Sequence, residues 1–152
     1  MKISTLDFRV LHRSEKRNGD HISQHESFSC DFLVNGTSLL DMLVQSNGGN
    51  SDFLGCFARG WDRLNEISES DLLVKSSVKQ ESGRVLIYLC PECGDIACGA
   101  YGAKVSKADG RYIWQDFAYE NSYEDPIQVS HIGPFIFDAS SYEKTISRAN
   151  AL

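Results

Sequence analysis

The chain has 152 residues, 41% of them hydrophobic, which argues against wholesale disorder and for one domain burying roughly two-thirds of its unfolded surface. No apolar run approaches the ~20 residues of a membrane-spanning helix. The net charge of −6 disfavours direct binding to nucleic acid, which usually needs a basic footprint.

The opening MKISTLDFRVLH carries one early lysine but no continuous apolar core or small-residue cleavage site. No signal peptide is expected, so a cytoplasmic protein that leaves membranes alone is the default. Leu6, Phe8 and Val10 alternate with Asp7 and Arg9 as a half-buried strand. Residues 12–26 are polar and read as loop. Phe28, Cys30, Phe32 and Val34 alternate as a second strand, closed by Asn35-Gly36. Ser38, with Asp41 three residues on, predicts a helix start in front of an apolar run.

Residues 45–51 read as a flexible connection, too short to divide the chain into domains. Phe53, Leu54, Phe57 and Trp61 supply packing surface around Gly55 and Gly60. Residues 69–81 suit a short helix capped by Ser70, although Leu72-Leu73-Val74 suits a strand equally. Val85–Leu89 is apolar on both faces and predicts a strand in the sheet interior. Residues 101–106 and 112–117 form a hairpin closed at Asp109-Gly110, and 135–137 a further strand. Asp138 or Ser140 caps a closing helix with Tyr142, Ile146 and Ala149 on one stripe. The expected fold is a single α+β domain over 1–152, an antiparallel meander with a few peripheral helices.

Charge is unevenly placed. No Lys or Arg lies between Arg111 and Lys144, while Asp116, Glu120, Glu124, Asp125, Asp138 and Glu143 fall there and the rest of the chain carries fifteen of each sign. The ordinary reading is a solvated face; the sharper one is a surface that steers a basic protein partner. In 115–126, QDFAYENSYEDP, acids interleave with tyrosines. Asp116, Tyr119, Glu120, Tyr123, Glu124 and Asp125 are therefore the candidate partner-binding residues, with aromatics for contact area and acids for attraction. The alternative is that Phe117 and Tyr119 finish the hairpin and the acids only solubilise it.

The five cysteines, an odd number, suggest reduced thiols. Cys90-Pro91-Glu92-Cys93-Gly94 has the form of a zinc knuckle. Cys98 is the candidate third ligand, and Cys56, Asp95 or a histidine would have to complete the set. Without a second knuckle, no cofactor is the expected state, with the thiols packed beneath the hairpin. A thioredoxin-like role requires the motif to open a helix, whereas here the chain heads toward a strand. His21 and His25 are four apart in polar surroundings, and His12 and His131 are isolated. No nucleophile elbow, phosphate-binding loop or dinucleotide fingerprint occurs, and no catalytic residue is named.

Cys90-Pro-x-Cys-Gly-Asp-x-x-Cys-Gly-Ala, with Trp114-x-Asp116-Phe117 and Gly133-Pro134-Phe135-Ile136-Phe137-Asp138, resembles a group of small bacterial proteins. Some of them are named as oxidoreductases without a recognisable cofactor motif. In size, acidity and lack of a catalytic signature the chain is similar in character to immunity proteins of bacterial toxin systems, contact-dependent growth inhibition included. That likeness implies a protein that covers a basic toxin, a nuclease above all. A small thiol-dependent oxidoreductase and a zinc-stabilised structural module are the alternatives.

Overall fold

The computed structural model describes residues 2–75, 82–92 and 98–152. Strands β1 (Leu6–Arg13), β2 (Lys16–Asn18), β3 (His21–Gln24), β4 (Ser27–Val34) and β5 (Thr37–Ser38) precede helix α1 (Leu39–Asn47). Strand β6 (Leu54–Gly55) and helix α2 (Asp62–Leu72) follow. Then come β7 (Val85–Leu89), β8 (Ala100–Ala108), β9 (Arg111–Glu120), β10 (Ile127–Gln128), β11 (Phe135–Asp138) and helix α3 (Ala139–Asn150). A three-stranded sheet runs β1-β4-β5, and a six-stranded sheet runs β10-β9-β8-β7-β6, with β11 also on β9. Every pairing is antiparallel. The expected α+β meander with peripheral helices is therefore the architecture.

Local signals explain most elements. Ser38 caps α1 by accepting from the Asp41 amide at 3.1 Å, and Gly48 ends it in the left-handed conformation. Asp138 caps α3 by accepting from the Ser141 amide at 3.1 Å. Tyr142, Ile146 and Ala149 form its buried stripe, joined by Thr145. Asp109 and Gly110 both hold positive φ, 52° and 73°, the pair of values a two-residue turn of this twist demands.

Two expectations fail. Residues 12–26 are not loop: β1 runs to Arg13, and β2 pairs with β3 as a small exposed hairpin. A ribbon wet on both faces carries no apolar alternation to announce it. The helix placed at 69–81 instead spans Asp62–Leu72, opening behind Trp61 without any side-chain cap. Its inward stripe, Leu64, Ser68 and Leu72, holds a serine at the centre, which breaks the apolar period. Ser70 caps nothing. Val74 then leaves the helix with φ 56°, and residues 76–81 lie outside the described set.

The core lies where α3 and the two sheets meet. Trp114 is fully buried at its centre, edge-on to Phe32 at 5.3 Å and to Phe137 at 5.1 Å. Its indole N–H donates to the Tyr142 hydroxyl at 3.0 Å, which donates onward to the Leu72 carbonyl at 2.7 Å. Buried aromatics of this kind bring large apolar area while their polar tips still find partners. Where the sheets come together the backbones nearly touch: Cys30 N–H donates to the Cys56 carbonyl at 2.9 Å. A Cβ at Gly55 would collide with the Cys30 carbonyl, so only glycine fits there.

Asp31 ties these parts together. On β4 it sits opposite in phase to Phe32, yet its side chain is 0% exposed. It accepts from the Tyr88 hydroxyl at 2.6 Å, the Ser38 hydroxyl at 2.7 Å and Arg9 Nε at 2.8 Å. One carboxylate thus links β7, the cap of α1, and β1, and a buried charge so satisfied is tolerable where an unpaired one is not. Tyr88 also accepts from the Phe32 amide at 3.2 Å. Tyr88→Phe should lower unfolding free energy by about 1–3 kcal/mol, read as a lower urea midpoint at unchanged slope. An unchanged midpoint would mean the network contributes nothing.

Candidate functional site

The acids of 116–125 divide into two groups. In β9 the pairing with β8 shifts register: Gly102 faces Ala118 and Lys104 faces Gln115. Asp116 and Phe117 thus share a bulge opposite Ala103, and Asp116 takes φ 57°. Aspartate tolerates that left-handed conformation better than most residues.

The bulge is pinned by Arg84, the residue before β7. Its Nε donates to the Asp116 carbonyl at 2.7 Å, Nη2 to Asp116 Oδ1 at 2.9 Å and Nη1 to Glu120 Oε1 at 2.8 Å. To get there it crosses β8 at Gly102, where a Cβ would stand 2.7 Å from the Val85 carbonyl and 3.4 Å from Arg84 Cβ. Lys104 adds a contact to Asp116 Oδ2 at 3.0 Å. The Arg84 and Glu120 side chains are only 6% and 4% exposed.

Asp116 and Glu120 are therefore not the outward-facing acids expected from the sequence. Two cations and two carboxylates close into a neutral cluster, and Glu120 is buried within it. Its second oxygen is buried without a hydrogen-bond partner among the described residues. Tyr119 is half-buried, ring against Tyr101 at 5.2 Å, its hydroxyl donating to the Cys98 carbonyl at 3.3 Å. Of the other acids in the Lys- and Arg-free interval, Asp138 caps α3 and Glu143 accepts from Tyr112 at 2.7 Å and Lys107 at 3.3 Å.

What remains outward is the arm itself. Tyr123 is 81% exposed and Ile127 45%, with Glu124 and Asp125 exposed between them. Asn121 Oδ1 accepts from the amides of Tyr123 and Glu124, both at 2.9 Å. This side-chain turn fixes the backbone that displays them. Past the arm, Gln115, Asp116, Phe117, Gln128, Val129, Ser130, Ile132, Gly133 and Pro134 line an open pocket of about 290 Å³. Sequence reasoning misses Arg84: a lone arginine before an apolar strand has no spacing that betrays a partner 32 and 36 residues away.

The cysteine turn differs from expectation. Cys98 is disulfide-bonded rather than a reduced thiol, which removes it as a thiolate ligand in this state. Cys90 is free and half-buried; Cys93 and Asp95 lie outside the described residues. Cys56 sits in the core, its thiol donating to the Ile87 carbonyl at 3.3 Å, and burial pushes its pKa up to about 12. A thiol so held stays protonated and is a poor metal ligand. Among the described residues no group of three or more His, Cys, Asp or Glu is placed to hold a metal, and no helix is long and apolar enough to cross a membrane.

Comparison with protein-family models, with curated proteins and with solved structures finds no match.

The ion cluster yields two expectations. Arg84→Met strands the Glu120 carboxylate in a buried site and should cost about 3–5 kcal/mol in chemical unfolding; a loss below about 1 kcal/mol would show that water reaches the cluster. Hydrogen bonds from Lys104 and then Arg84 hold the Asp116 carboxyl below its ordinary value. A carboxylate lowered in this way stabilises fully above its unfolded pKa of about 3.9 and loses that contribution as pH falls through the folded value. The stability gap between wild type and Asp116→Asn should therefore be constant near neutrality and close below about pH 4. A gap that persists at pH 2 would contradict the ionic origin.

Proposed function

We propose that this chain is an immunity protein of a bacterial toxin system, acting in the cytoplasm by covering a basic protein toxin, a nuclease being the best chemical match. The observation that carries the reading is the arm at 121–128: a tyrosine 81% exposed, flanked by Glu124 and Asp125, on a backbone fixed by Asn121. Exposed aromatic surface next to like-signed charge suits a protein interface, where the ring supplies burial and the acids guide approach. A preset backbone lowers the entropy cost of docking. The overall charge of −6 favours a basic protein over nucleic acid as the partner. The contact residues in this reading are Tyr123, Glu124, Asp125 and Ile127, while Asp116, Tyr119 and Glu120 hold the arm in place.

One observation favours a second reading. Disulfide-bonded Cys98 and free Cys90 lie eight positions apart in the same connection, a composition suited to thiol–disulfide exchange. Turnover of a dithiol substrate by purified protein, lost in Cys90→Ser, would favour that chemistry.

Co-expression with candidate nuclease toxins tests the first reading through growth rescue and copurification. Tyr123→Ala should speed dissociation at a cost of roughly 2 kcal/mol. Glu124→Gln with Asp125→Asn should slow association and flatten its salt dependence, leaving the thermal midpoint unchanged. A bound toxin indifferent to all three substitutions would move the interface off the arm.

A further inference from the structure

We propose that the pocket beside Asp116 receives one arginine side chain of the protein partner, which takes the Asp116 oxygen now paired with Lys104. The inference rests on the partner-binding reading above and gives that interface a specific anchor point.

Position comes first. The arm runs through Pro126 and Ile127 into Gln128, which lines the pocket, so the pocket adjoins the strand on which the arm ends. At about 290 Å³ the pocket falls at the lower limit of ligand sites. That suits a single long side chain better than a whole small molecule.

The lining chooses the side chain. Acceptors come from the Asp116 carboxylate, the Gln115 and Gln128 amides and the Ser130 hydroxyl, while Ile132 and Pro134 add apolar wall. A guanidinium matches this mixture: it is planar, weakly hydrated, rich in donors and carried on an apolar stem. A lysine ammonium is a compact, strongly hydrated point charge and uses the walls less well.

The carboxylate is already prepared for a cation. Arg84 Nη2 holds Asp116 Oδ1 at 2.9 Å and fixes the group's orientation. Oδ2 pairs with Lys104 at 3.0 Å, and the Lys104 side chain is 51% exposed. An exposed ion pair of that kind is worth little. Lys104 can swing into water while an incoming guanidinium takes Oδ2, so binding is a competition between two cations for one oxygen.

Titration of the full-length chain with N-acetylarginine methylamide, followed by amide NMR, tests this without any toxin. Expected are shifts at the Gln115 and Gln128 side-chain amides and the Ser130 and Gly133 backbone. Affinity should be weak in wild type, about fivefold tighter in Lys104→Met, and lost in Asp116→Asn. Asparagine tolerates the left-handed position, and the spectrum itself reports whether that variant is folded. Ser130→Trp, which fills the pocket without touching Arg84, should abolish the response independently. An equal response to the neutral isostere N-acetylcitrulline methylamide, no tightening in Lys104→Met, or no shift at these residues in any variant would overturn the proposal. Probe binding together with failure of every toxin would sink the immunity reading alone; toxin capture with no probe response would sink the pocket alone.

Discussion

Arg84 is the residue on which the half of this structure that carries the arm and the pocket depends. A guanidinium almost out of water needs all its hydrogen bonds satisfied. Here the Asp116 carbonyl, the Asp116 carboxylate and Glu120 supply them. The side chain reaches them beside Gly102 of β8, where a Cβ would meet the Val85 carbonyl at 2.7 Å. To offer both a carbonyl and a carboxylate to one guanidinium, β9 must bulge, which puts Asp116 in the left-handed region. The bulge in turn shapes the wall of the pocket, and Glu120 at the end of β9 fixes where the arm departs. One buried charge thus ties together a bulge, a register shift and the starting point of an exposed loop.

Asp31 does comparable work in the other half, with a different outcome. Its partners are two hydroxyls, the Leu40 amide and a half-exposed arginine, and they lock the small sheet, the cap of α1 and β7 into one body. Nothing in that network opens to solvent except Arg9. The two clusters share a logic, in that each carboxylate near the core answers to donors from separate elements. They differ in that the Arg84 cluster reaches the surface beside a pocket, through Lys104 and Asp116, whereas the Asp31 network reaches it through Arg9.

This division explains what the sequence made legible. Turn and cap chemistry is local, so Asp109-Gly110, Ser38 and Asp138 announced the hairpin and two helices correctly. Strands with apolar alternation were readable for the same reason. The ribbon at β2 and β3 and the start of α2 were not, because one buries too little to need a pattern and the other interrupts its stripe with Ser68. Charge was the harder case. Six acids without a nearby lysine or arginine in sequence looked like a free acidic face, yet Arg84, Lys104 and Lys107 return in space to neutralise three of them. Long-range ion pairs leave no periodic trace. Likewise Ser29 and Asp31, the polar positions between the apolar ones of β4, are both buried, where Gly55, Tyr88 and Ser38 meet them.

Of the candidate contact residues, those at 119 and 120 hold the scaffold, those at 123–125 face outward, and Asp116 both pins the bulge and lines the pocket. Site-specific photocrosslinking separates these roles most directly. A benzoylphenylalanine placed at 123, on the arm, is compared with one at 67, an exposed apolar position on α2, in cells producing a toxin that the chain neutralises. A crosslinked adduct of chain and toxin from position 123, and none from position 67, is the outcome expected of an interface on the arm. An adduct from position 67 alone would contradict it.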